Sequence, residues 1–154
     1  MSGPSLETSA LYVALYARAS ATANNYHWPL YHHLSEKAGT KFHIRNLGEG
    51  WIEGHEVTSG IQKEFLLMGF LKIGNKIDAS RLRSLIMSVP YNTAGVTCRT
   101  WVLGALRNCI DAGLVRCISL DELESEAKAF GYSQFDDTFA NVHPRPIIIA
   151  TNSS

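Results

Sequence analysis

Cysteine is scarce in this chain of 154 residues: there are three, Cys98, Cys109 and Cys117, with no Cys-x-x-Cys pair among them. An odd number at irregular spacing argues against a disulfide framework or a cysteine-rich zinc site. An excess of charge of one sign is missing too. Lys and Arg number 14 and Asp and Glu number 14, so the formal net charge is zero, and the charge balance gives no reason to propose nucleic acid or an acidic membrane as partner. No apolar run reaches the roughly 18 residues that a membrane span requires. No basic segment leads into an apolar core near Met1, so the expectation is no secretory leader and a reducing, cytoplasmic compartment. Repeats, low-complexity tracts and linkers are also lacking. What remains is a globular composition, 45% hydrophobic and 18% charged, in a chain long enough for one domain with a sizeable core and no covalent staples.

The expected single domain, 1–154, divides into a loose lead-in over 1–8, a mainly strand-forming part over 9–73, a mainly helical part over 78–131, and a loop with a last short strand over 132–154. Ala10 to Ala17 is aromatic and aliphatic and reads as a strand. In Tyr26 to His32 the alternation puts Tyr26, Trp28 and Leu30 on one face and His27 and Tyr31 on the other, with Pro29 forcing an edge, a bulge or an early end. Lys41 to Asn46 alternates again, Phe42 and Ile44 opposing Lys41, His43 and Arg45. Trp51 to Val57 is a further strand, and the nearly continuous apolar run Glu64 to Ile73 predicts a central strand covered on both faces. Asp78 caps a helix to about Met87. Ser119 with Glu122 has capping-box spacing and starts another helix that stops at Phe130 before Gly131. Strands followed by helices predict an α+β fold, an antiparallel sheet packed against about three helices.

Between those two helices lies the stretch that carries chemistry. From Trp101 the apolar residues Trp101, Val102, Ala105, Leu106, Cys109 and Ile110 recur three and four apart, so the run is an amphipathic helix, N-capped by Thr97 and ended at Gly113. Cys98 falls on its first turn. There, unpaired backbone N–H groups and the helix dipole favour a thiolate and can hold a developing oxyanion. A thiol nucleophile needs a base within hydrogen-bond reach and a third polar group to orient that base. His27 and His43, on the polar sides of consecutive strands, are the candidates. Of the six histidines, none forms a spaced ligand pair, and the His32-His33 doublet diverges in a strand, so neither metal nor cofactor is expected. Tyr12, Tyr26, Trp28 and Trp101 are candidate substrate-pocket residues, with Tyr12 or Tyr26 as a second oxyanion donor beside the Cys98 N–H.

Tyr26-His27-Trp28 with Leu30, then Phe42-His43-Ile44-Arg45-Asn46, Trp51, Ser88-Val89-Pro90, and Thr97-Cys98-Arg99-Thr100-Trp101-Val102 with Ala105-Leu106 resemble a group of small fungal proteins of unassigned function. That group is similar to the circularly permuted NlpC-type branch of the papain-like fold, which includes lecithin:retinol acyltransferase-like proteins. The resemblance runs from Tyr26 to Gly113. It implies a papain-like fold in which His27 is the base, His43 the residue that orients it, and Cys98 the nucleophile. The chain departs from the wider branch at Pro29, inside an expected strand, and at Thr97, where asparagine is common.

Residues and resemblance together predict a cysteine-dependent hydrolase or acyltransferase acting on an amide, ester or thioester of a small molecule, with kinship extending this to fungal natural-product biosynthesis. The alternative keeps the scaffold and its pocket for a non-covalent cyclase, isomerase or ligand-binding protein in which Cys98 is a bystander.

Overall fold

The structure, a computed structural model, describes residues 6–17, 26–35, 38–46, 51–61, 64, 66–90, 97–116, 119–140, 142 and 145–150. At Tyr26, Arg45, Asn46, Trp51, Ile52, Glu53, Cys98 and Arg99 the description is of the backbone alone. In chain order the elements are β1 (Leu11–Ala17), β2 (Tyr26–His27), β3 (Leu30–His33), β4 (Ala38–Phe42), β5 (Ile44–Asn46), β6 (Trp51–Glu53), β7 (Glu56–Ser59), β8 (Leu67–Gly74), α1 (Ala79–Met87), α2 (Cys98–Asp111), α3 (Leu120–Phe139) and β9 (Ile147–Ile149). The architecture is α+β.

The main sheet runs β7-β4-β3-β1-β8-β9, with the short β2 also paired to β1, while β5 and β6 form a separate ribbon. β1 and β8 are central, and their apolar runs leave no hydrophilic face, as a strand covered on both sides requires. On one face Leu11, Val13, Leu15, Trp28, Leu30, Phe42 and Leu71 meet the apolar stripes of all three described helices. On the other, Tyr12, Ala14, Tyr16, Tyr31 and Phe70 form a second cluster with Ile61 and Leu67. The alternation expected from Tyr26 to His32 is seen at Trp28, Leu30 and Tyr31. Trp28 and Leu30 face the helices while Tyr31 faces away, and the strand breaks at Trp28-Pro29, where Pro29 can only accept, from the Ala14 N–H at 3.0 Å.

The helices begin where their caps predict. Asp78 accepts from the Arg81 N–H at 2.9 Å, and Ser119 accepts from the Glu122 N–H at 3.2 Å. Thr97 and Thr100 cap each other reciprocally, and Gly113, at φ 79°, takes up the left-handed conformation beyond the end of α2.

Three expectations are corrected. The sheet is mixed: β9 pairs with β8 in parallel, since the chain returns through the helical layer rather than by a hairpin. The strands expected over Lys41 to Asn46 and over Trp51 to Val57 each break, at His43 and at Gly54-His55, with β4 and β7 in the main sheet and β5 and β6 in the ribbon. The third helix does not stop at Gly131 but continues to Phe139, through residues expected to form a loop. Gly131 is itself buried. The turns beyond it are held by Phe135, packed on the core, and by Gln134, whose Oε1 accepts from Arg145 Nη2 at 2.6 Å. Tertiary packing there outweighs the roughly 1 kcal/mol propensity cost of a mid-helix glycine.

Gly69 marks a close approach of the layers. A Cβ there would lie 2.6 Å from Phe130 Cζ and 2.7 Å from the Pro146 carbonyl oxygen, the oxygen that accepts the Phe70 N–H. Gly69→Ala should therefore destabilise the protein by about 1–3 kcal/mol in urea unfolding; unchanged stability would contradict this packing of α3 and β9 on β8.

Candidate active site

Cross-strand register decides which polar side chains meet. Tyr16 is directly opposite His27 on β1 and β2, Tyr31 opposite Lys41 on β3 and β4, and Lys41 opposite Glu56 on β4 and β7. Opposed residues share a face. Tyr16 and Tyr31 sit on the side of the sheet turned away from the helices, and their cross-strand partners share that side. His43 follows Lys41 by two residues and falls on the same side.

The result is a linked cluster. His27 Nε2 and His43 Nδ1 are 2.9 Å apart, with the rings edge to face at 5.0 Å between centroids. His43 Nε2 lies 3.9 Å from Glu56 Oε1. That same oxygen is 3.1 Å from Lys41 Nζ, and Lys41 also donates to Glu64 Oε1 at 3.2 Å while its ammonium sits 5.0 Å above the centre of the Tyr16 ring. The Tyr16 hydroxyl donates to Glu64. Lys41 is only 9% exposed, a placement tolerated because two carboxylates and an aromatic face compensate its charge. Burial, and then the hydrogen bond to Glu64, push the Tyr16 phenol well above its ordinary range, so it stays a donor.

The break between β4 and β5 fixes His43 from behind. Its backbone N–H donates to His55 Nδ1 at 3.1 Å, and its carbonyl accepts the Gly54 N–H at 2.9 Å. His55 in turn packs against Phe42 and against Trp101, 5.5 Å between ring centres. A continuous path therefore runs from the first turn of α2, through Trp101 and His55, to the backbone of His43.

Of the residues singled out from the sequence, His27 and His43 are brought together. Cys98 is the first residue of α2; its side chain, like that of Tyr26, lies outside the described residues. Trp28 and Trp101 are each 2% exposed and belong to the core on the helical side. Tyr12 is fully buried between Tyr31 and Phe70, and its oxygen accepts the Glu7 N–H at 2.8 Å. His32 and His33 diverge: His32 Nε2 lies 3.3 Å from the Ser9 carbonyl and His33 Nδ1 lies 2.7 Å from the Tyr31 hydroxyl. Among the described residues no group of His, Cys, Asp and Glu is arranged to hold a metal ion, and no helix is long and apolar enough to cross a membrane. Lys41, Glu56, Glu64, Tyr16 and His55 were not singled out from the sequence. The alternation had put Lys41 beside His43, but Glu56 and Glu64 arrive through pairings that no local pattern encodes.

A cleft of about 460 Å³ opens at the opposite end of β1, lined by Ser9, His32, Lys76 and Asp78 among others. Asp78 is engaged there as the cap of α1 and His32 against Ser9. The histidine cluster is the stronger candidate.

The chain belongs to a family of unknown function, DUF6914, whose profile matches residues 9–137. No curated protein matches it, and no solved structure does.

Cys109 lies fully buried on the inner stripe of α2, where burial pushes its thiol up to about 11. The thiolate is the reactive form, so Cys109 should resist iodoacetamide at neutral pH in the folded protein and label only on denaturation; rapid native labelling would place it outside the core.

Proposed function

We propose that this protein is a cysteine-dependent hydrolase or acyltransferase of the papain-like, permuted NlpC type, acting on an amide, ester or thioester of a small molecule. The observation that carries the reading is the 2.9 Å contact between His27 Nε2 and His43 Nδ1. A base needs an orienting partner on the nitrogen away from the nucleophile, and the contact between the two histidines named by the resemblance supports that assignment. With Nε2 engaged by His43, His27 would exchange protons with a nucleophile through Nδ1.

In this reading the Cys98 thiol gives its proton to His27 Nδ1 and the sulfur attacks the acyl carbon. The tetrahedral oxyanion is held by backbone N–H groups at the start of α2, where the helix dipole favours negative charge. Collapse expels the alcohol, amine or thiol, which takes the proton back from His27 and leaves a thioester on Cys98. Water or a second nucleophile, deprotonated by His27, then releases the acyl group. The fungal resemblance supports a natural-product intermediate as substrate, and the three cysteines without a disulfide pattern support a reducing, cytoplasmic setting.

One observation favours a second reading. Among the described residues, Lys41, Glu56, Glu64 and Tyr16, the charged and hydroxyl groups gathered around the histidine pair, come from the sheet and from the segment before β8. Such a cluster can serve as the acid–base pair of a non-covalent cyclase or isomerase, with Cys98 outside the reaction.

Thiol reactivity separates the two. In the parent protein Cys98 should alkylate with iodoacetamide at neutral pH at least tenfold faster than Cys109, with an apparent pKa below the roughly 8.5 of an unperturbed thiol, and His27→Ala should abolish the advantage. A slow rate at Cys98, unchanged in His27→Ala, would exclude the thiolate mechanism and leave the acid–base reading.

A further inference from the structure

The tautomer of His27 is not set by His43 alone. For His27 to accept a proton at Nδ1, its Nε2 must carry hydrogen and donate to His43 Nδ1, which requires His43 to carry its own hydrogen on Nε2. His43 Nε2 is the atom that faces Glu56 Oε1, at 3.9 Å. This is too long for a direct hydrogen bond but close enough for a carboxylate to favour a proton on that nitrogen and a positive charge on the ring. Glu56 is itself held: register places it opposite Lys41, and Lys41 Nζ grips the same Oε1 at 3.1 Å.

We propose that Glu56 is a positioning residue for the histidine pair: its carboxylate fixes the Nε2–H tautomer of His43 and so directs the basic nitrogen of His27 outward as Nδ1, while Lys41 aims the carboxylate and limits how far it raises the basicity of the pair. The role of the pair as catalytic base rests on the function proposed above; the coupling of Glu56 to the pair does not. Other groups also surround the pair. Tyr16 faces it from β1 and Glu64 from the segment before β8, both tied to Lys41 or to each other, and His55 contacts the His43 backbone. Glu56 is the carboxylate that reaches a ring nitrogen of the pair among the described residues.

The test is a pH titration of the full-length protein labelled with ¹⁵N-histidine, read by imidazole nitrogen shifts, in the parent, Glu56→Gln and Lys41→Met. Glu56 is half exposed on an edge strand, so Glu56→Gln should fold. The parent should show His43 in the Nε2–H form. Glu56→Gln should lower the midpoint of the pair by on the order of half a unit, about a threefold loss of proton affinity at a half-exposed pair, and should weaken the tautomer preference. Lys41→Met should move the midpoint upward; if it does not fold, Glu56→Gln decides alone. An unchanged midpoint and tautomer in Glu56→Gln would overturn the proposal, whatever the alkylation of Cys98 shows. A shifted tautomer with an inert Cys98 would uphold the coupling and refute the thiolate function.

Discussion

Burial of β1 on both faces is the constraint from which the rest of the structure follows. A strand with no face in water needs two covering layers, and the chain supplies them in different ways. The helices cover one side with aliphatic stripes. The other side is covered by a layer of tyrosines and Phe70, and each buried hydroxyl must then find a partner. Tyr12 takes the Glu7 N–H, Tyr31 faces His33, and Tyr16 donates to Glu64. The polar cluster at His27 is thus the end of an aromatic layer: where the tyrosines run out at the sheet terminus, their last hydroxyl recruits a carboxylate, the carboxylate recruits Lys41, and Lys41 recruits Glu56 beside His43.

How much of this is visible in the sequence depends on whether the signal is local. Asp78, Thr97 and Ser119 announce helix starts because a cap acts within three residues, and all three stand where they were read. The alternation around His27 and Lys41 gives the side of each side chain because a strand has period two. The signals fail where distant segments decide. Gly131 reads as a stop, yet Phe135 and the Gln134–Arg145 contact carry the helix past it. The parallel seat of β9 depends on the length of a crossover, not on Ile147 to Ile149 themselves. For the site, His27 and His43 were legible as a pair from alternation and resemblance. Glu56 and Glu64 were not, for nothing within a few residues of either marks it as a neighbour of the histidines.

A histidine orienting a histidine differs in one respect from a carboxylate doing so. A neutral imidazole transmits a tautomer but brings no charge to balance the imidazolium that forms when the base takes a proton. The cluster makes up that deficit one step further out. Glu56 and Glu64 with Lys41 sum to one negative charge beside the neutral pair. Uptake of a proton at His27 would bring these described groups to neutrality, so Glu56, Glu64 and Lys41 together favour rather than oppose a protonated pair. With Glu56 half exposed, solvent screens part of that field, and Lys41, nearly buried between two carboxylates, offsets part of it as well. The base proposed for this site would need both properties, and the groups that would supply them come from strands and a turn that share no local sequence signal.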